Sequence, residues 1–194
     1  MRIAKTFPIF AVVAAILFLG LPAQAQQAPA GAPAAKAPAT TLSRASKDAL
    51  NRLTGHSSTA KALAAQATAI LVFPDIKKAG FIVGGQYGEG TLFRDGKPAA
   101  YYSTGGVSYG LQAGAQKYGY AMFFMNETAL SQLDKADGFE IGVGPSVVVI
   151  DEGMGKSATT TTMKDDIYAF IFSQKGLMAG IGLQGNKITR IAAK

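Results

Sequence analysis

At 194 residues and 48% hydrophobic, the chain is long enough to bury one sizeable core, and a single domain is expected. It has no cysteine, which excludes disulfides, thiolate metal sites and a lipid anchor on cysteine, and one histidine gives transition-metal catalysis no support. The formal charge of +7 suits an anionic surface but also plain solubility, and no aromatic-basic interleaving points to single-stranded nucleic acid.

The first 25 residues read as a secretory signal peptide. Arg2 and Lys5 form a positive start, Ile9 to Leu21 an apolar run, and Ala23-Gln24-Ala25 an A-x-A cleavage site. The run is too short, and too closely flanked by Pro8 and Pro22, for a spanning helix. The expected location is therefore periplasmic or secreted, with the mature chain starting near Gln26. Residues 26–40 are nearly all Ala, Pro, Gln and Gly, the composition of a linker.

The folded domain is expected over 41–194, opening on a helix capped by Thr41 or Ser43. Leu42, Ala45, Ala49, Leu50 and Leu53 recur at helical spacing up to Gly55, and Arg44, Lys47 and Arg52 occupy the opposite face. Such a basic amphipathic helix either lies on a membrane or docks on a core with its charges in water. A second helix follows Ser57 or Ser58, rich in alanine through Ala69. Ile70 to Phe73 then reads as a short buried strand stopped by Pro74. Asp95-Gly96 is a hairpin turn, and Asn126 caps a short helix from Glu127 to Leu133. Ser146 to Ile150 and Asp166 to Phe172 read as strands apolar on both faces.

Thr104 to Ala115 sets the character of the sheet. Gly106, Ser108, Gly110, Gln112 and Gly114 alternate with Val107, Tyr109, Leu111, Ala113 and Ala115, so one face is nearly bare backbone. Gly80 to Gly90, Gly138 to Gly144 and Gly176 to Gln184 repeat the design. Glycine weakens a strand by roughly 0.5–1 kcal/mol, so its recurrence implies sharp coiling or close approach by another backbone or a ligand. The fold class is α+β: a strongly coiled antiparallel sheet, barrel- or sandwich-like, with N-terminal helices and one short helix near 127–133.

No catalytic constellation survives scrutiny. Gly106-Val-Ser108-Tyr-Gly110 matches a nucleophile elbow in letters, but a strand pattern runs through Ser108 and the sole base, His56, precedes it. Gly155-Lys156-Ser157 lacks the first glycine of a phosphate loop, since Ile150 stands there. Gly180-Ile-Gly182-Leu-Gln-Gly185 leaves too few residues for a dinucleotide fold. The acidic pairs Asp151-Glu152 and Asp165-Asp166 read as solvated loops, and no cofactor or metal is expected.

Phe73-Pro74, then Lys78-Ala-Gly80 through Gly84-Gly85-Gln-Tyr-Gly88-Glu-Gly90, resembles the first signature of the SYLF domain family. Gly110-Leu-Gln-Ala-Gly114-Ala-Gln116, Gly144-Pro145 and Ser173 to Gly185 resemble later ones in the same order, so the resemblance spans about Thr41 to Ile191. It implies a domain that binds acidic phospholipids, in a family some of whose members bind actin and whose bacterial members are exported. The implied activity is non-enzymatic lipid binding at a membrane surface, with candidate contacts at Arg44, Lys47, Arg52, Lys77 and Lys78. Of these Lys78 lies in the signature, and the rest follow from charge and amphipathicity. The alternative is a structural or interaction protein of the envelope whose glycine face packs on a partner protein. Nucleic acid is not an expected partner.

Overall fold

Asp95 and Gly96 take φ values of 51° and 72°, the left-handed pair that a two-residue type I′ hairpin requires, and Arg94 pairs with Lys97 across them. The computed structural model describes residues 38–134, 139–140, 147–151, 165–176 and 186–193. From the Asp95-Gly96 turn two antiparallel strands run back, β1 (Ala69–Arg94) and β2 (Lys97–Phe124), of 26 and 28 residues. Straight strands of that length would reach about 85 Å at roughly 3.3 Å per residue. The hairpin has to coil, and glycine is where it does so.

On the inner side of β1, a Cβ at Gly90 would stand 2.6 Å from the Val72 carbonyl oxygen and 2.6 Å from the Phe73 ring. One at Gly88 would stand 2.8 Å from Ile76 and 3.0 Å from the Asp75 carbonyl oxygen. The strand therefore curls until its second half lies against its own first half, at a separation no side chain fits. The expected backbone approach is real, and the backbone approached belongs to the same strand.

Among the described residues the sheet has six strands. β1 covers one edge of β2, and the other edge is shared. β6 (Lys187–Ile191) pairs with Tyr101–Gly105, and β5 (Ile167–Gly176) pairs with Gln116–Phe124. The short β3 (Phe139–Glu140) flanks β6, and β4 (Val147–Asp151) flanks β5. Every pairing is antiparallel except β4 with β5, which is parallel. The sheet is thus the strongly coiled, mainly antiparallel one expected, and the one parallel pairing also explains β4. An edge strand in this position covers little, and Val149 is 46% exposed, so the run is not buried on both faces as its composition suggests.

The sheet buries both of its sides. Inside the coil, Phe73, Ile76, Tyr102, Tyr118, Tyr120, Met122 and Phe124 meet Ile167, Ala169 and Ile171 of β5. On the outer side Ile70, Val72, Phe93, Ala121 and Phe123 meet Tyr168, Phe170 and Phe172 of β5 beneath the helices. The alternating apolar faces of β5 thus belong to two cores, one of them under helices as expected.

The helix α1 (Ala39–His56) begins two residues before the expected boundary, with Pro38 at its N-cap and no side-chain cap bond. It buries Leu42, Ser46, Ala49, Leu50 and Leu53. Ser57 then closes α1, its N–H donating to the Leu53 carbonyl at 2.9 Å, and caps α2 (Ser58–Ala64), its Oγ accepting from the Ala60 N–H at 3.2 Å. α2 stops at Ala64, well short of the expected Ala69, because the chain must enter β1 there. Asn126 caps α3 (Glu127–Ser131) through a 2.8 Å bond from the Ala129 N–H, and a 3₁₀ turn continues to Asp134. Pro74 does not stop a strand. β1 passes through it with a register shift between Phe73 and Ile76, since a proline's missing donor is tolerated at a bulge.

Candidate functional site

The outer face of α1 presents Arg44, Lys47 and Arg52 to solvent, with Asp48 among them. Its inner face is committed to the core: Leu50 is 8% and Leu53 1% exposed. Burying such side chains stabilises by about 1.5–3 kcal/mol each, more than exposed charges on the far face can offset. The helix is therefore docked, and its apolar stripe is not free to enter a bilayer. Lys47 is also held at the hairpin tip. Its Nζ donates to the Gly96 carbonyl at 3.4 Å and stands 5.6 Å from the centre of the Phe93 ring. Arg94 beside it is paired with Glu127.

Lys77 and Lys78, adjacent in sequence, are parted by the pleat. Lys77 is exposed on the helix side of the sheet, directly opposite Lys117 of β2. Lys78 points into the coil, 2% exposed and directly opposite the buried Gln116. The signature lysine is thus a buried residue, and a surface contact of the kind expected for it is not open to it.

The interior around Lys78 is polar. The Tyr118 hydroxyl donates to Gln86 Oε1 at 2.8 Å, and Gln86 Nε2 donates to Asn186 Oδ1. Those bonds cross from β1 to β2 and to the residue before β6, and Gly106 leaves the room, since a Cβ there would strike Asn186. Gln116 Oε1 and the Tyr120 hydroxyl are buried without a hydrogen-bond partner among the described residues. Burial pushes the Tyr118 and Tyr120 hydroxyls far above the ordinary phenol range, with the neighbouring Tyr118 adding to the effect at Tyr120. Burial and the Asp134 carboxylate raise Tyr102 to about 12. These are neutral hydrogen-bonding groups at any physiological pH.

The enzyme-like motifs resolve differently. β2 runs through Ser108, which sits in register with Gly84, so the strand–turn–helix of a nucleophile elbow does not form. His56 is at the exposed end of α1, its Nδ1 2.8 Å from the Arg52 carbonyl oxygen. The Gly155 and Gly180 motifs lie outside the described residues, as do residues 1–37. Asp166 accepts a 2.7 Å bond from Asn126 Nδ2, and no group of potential metal ligands occurs among the described residues.

The fold and these surfaces make up an α+β domain: a self-coiled glycine hairpin, a polar interior and cationic outer faces. Residues 105–193 match the family model Ysc84, described as Las17-binding protein actin regulator, a match in keeping with the SYLF resemblance of the glycine signatures. A comparison with curated proteins found no match. The family match begins within β2, so α1, α2 and β1 lie outside it, and with them Arg44, Lys47, Arg52, Lys77 and Lys78. The lysines of the cationic face that sequence reasoning passed over, Lys117 and Lys175, lie inside it.

Proposed function

We propose that this chain is an exported, non-enzymatic domain that binds acidic phospholipids at a membrane surface. The observation that carries the reading is the division of labour in α1: its apolar face is spent on the core while Arg44, Lys47 and Arg52 remain in water. Attraction is then electrostatic, without helix insertion, and each cation near an anionic leaflet contributes about 1 kcal/mol within a Debye length. The tripartite start of the sequence supports export, and the family match supports a binding role. Co-sedimentation with phosphatidylglycerol vesicles tests it. Arg44→Glu with Lys47→Glu and Arg52→Glu should weaken binding at least tenfold, and added salt should weaken the wild type. Binding that ignores both headgroup charge and salt would point instead to an envelope protein as the partner.

A further inference from the structure

The outer side of the sheet carries a feature that strand pairing alone creates. Lys77 of β1 is the cross-strand partner of Lys117 of β2, and Lys117 is in turn the partner of Lys175 of β5. Partners directly opposite point to the same side, so three lysines form one rung across three adjacent strands, and all three are exposed. Neighbouring strands stand about 4.8 Å apart, which puts the outer two within roughly 10 Å. Like charges directly opposite destabilise a sheet. Among the described residues one carboxylate opposes them, Asp75, at 2.8 Å from Lys117. Lys77 and Lys175 have no ion pair among the described residues.

Three separate irregularities build this rung, two on one edge of β2 and one on the other. Counted straight out from the Arg94–Lys97 turn, Lys77 would fall opposite Gly114. Register shifts between Leu92 and Phe93 and between Phe81 and Val83 bring Lys117 there instead. On the other edge, the ladder that pairs Phe172 with Gly119 would continue to set Gln174 opposite Lys117. A bulge intervenes, with Ser173 at a φ of 53°, and Lys175 takes the place. A non-glycine residue in the left-handed region carries strain. Backbone strain and charge repulsion are thus both accepted at the point where the third lysine joins. Farther along the same side of the hairpin Val107 and Tyr87 are 64% and 42% exposed. On α1, by contrast, Asp48 sits four residues from both Arg44 and Arg52 and dilutes the row.

We propose that the Lys77–Lys117–Lys175 rung is the phosphate-binding element of the membrane contact, docking the outer side of the hairpin on an anionic phospholipid surface. The inference rests on the lipid-binding reading and adds the place of contact. Phosphate groups in a headgroup layer relieve the repulsion among the three ammonium groups, which solvent does only by screening.

The test uses Lys77→Gln with Lys175→Gln, which leaves the Lys117–Asp75 pair in place. Vesicles of phosphatidylcholine with about one third phosphatidylglycerol are the probe, and pure phosphatidylcholine is the control. The double variant should lose affinity on the order of twentyfold, at about fivefold for each lysine removed. Its melting temperature should equal or exceed that of the wild type. A folded variant that binds as the wild type does overturns the inference. If the α1 charge reversal then abolishes binding, the lipid reading stands and the contact belongs to α1. If the wild type itself ignores phosphatidylglycerol, the lipid reading fails and the rung's role fails with it.

Discussion

The inner and outer sides of the β1–β2 hairpin are made of the same residues in alternation, yet they do opposite things. Inward, Gly88 and Gly90 disappear beneath the backbone of residues 72–76, Lys78 and Gln116 are buried, and Gln86 accepts from Tyr118. Outward, Gly85 meets nothing within 4 Å, and Lys77, Lys117, Tyr87 and Val107 stand in solvent. Glycine therefore has two meanings in one strand. At Gly88 and Gly90 it is required by contact; at Gly85 it leaves the surface bare. The period of two in the sequence reveals that two sides exist, but not which side faces in.

The contrast breaks most sharply at Gly90. Gly90→Val puts a branched side chain against the Val72 carbonyl and the Phe73 ring, and the strand cannot yield without uncoiling. A loss of about 3 kcal/mol in urea-unfolding stability is expected, whereas Gly85→Ala should gain a few tenths to about 1 kcal/mol. Equal effects at the two positions would mean that the hairpin is open in solution.

Alkali probes the inner side as a whole. Tyr102, Tyr118 and Tyr120 keep their protons in the folded state well above the ordinary phenol value, so above pH ~10 the unfolded chain binds fewer protons than the native one. Stability is fully present below that value and falls as pH rises through it. Absorbance at tyrosinate wavelengths should show these three ionising only together with loss of the folded circular-dichroism signal.

The smallest expected effects separate two neighbours. Tyr118→Phe removes the donor to Gln86 and should cost about 1 kcal/mol. Tyr120→Phe removes a buried hydroxyl that has no partner among the described residues, and should be neutral or stabilising by up to about 1 kcal/mol. A destabilised Tyr120→Phe, read from the urea midpoint, would show that a buried water satisfies that hydroxyl.

Local signals in the sequence were legible: the α1 stripe, the Asp95-Gly96 turn, the Asn126 cap and the doubly apolar β5 each rest on a few adjacent residues. Register was not. Lys117 and Lys175 are 40 and 98 residues from Lys77, and bulges set their alignment. Pro74 misled for the same reason, because a stop and a bulge share the same missing donor. The apolar β4 resembled a central strand because composition does not report what lies beside an edge. Lys78 entered the list of surface candidates because it lies in the family signature, and only the pleat assigns it inward.

The self-contact of β1 also bears on how the chain reaches this shape. Pairing near the Asp95-Gly96 turn joins residues close in sequence and can begin at once. Seating Gly88 and Gly90 on residues 72–76 needs a finished bend, and pairing Ala69 with Phe124 needs the whole hairpin between them. Zipping outward from the turn is therefore the route of lowest loop-closure entropy. Until the bend closes, the apolar inner side of β1 at Phe73 and Ile76 lies open to any other chain, so the coil that fixes the native form also covers a surface prone to self-association during assembly.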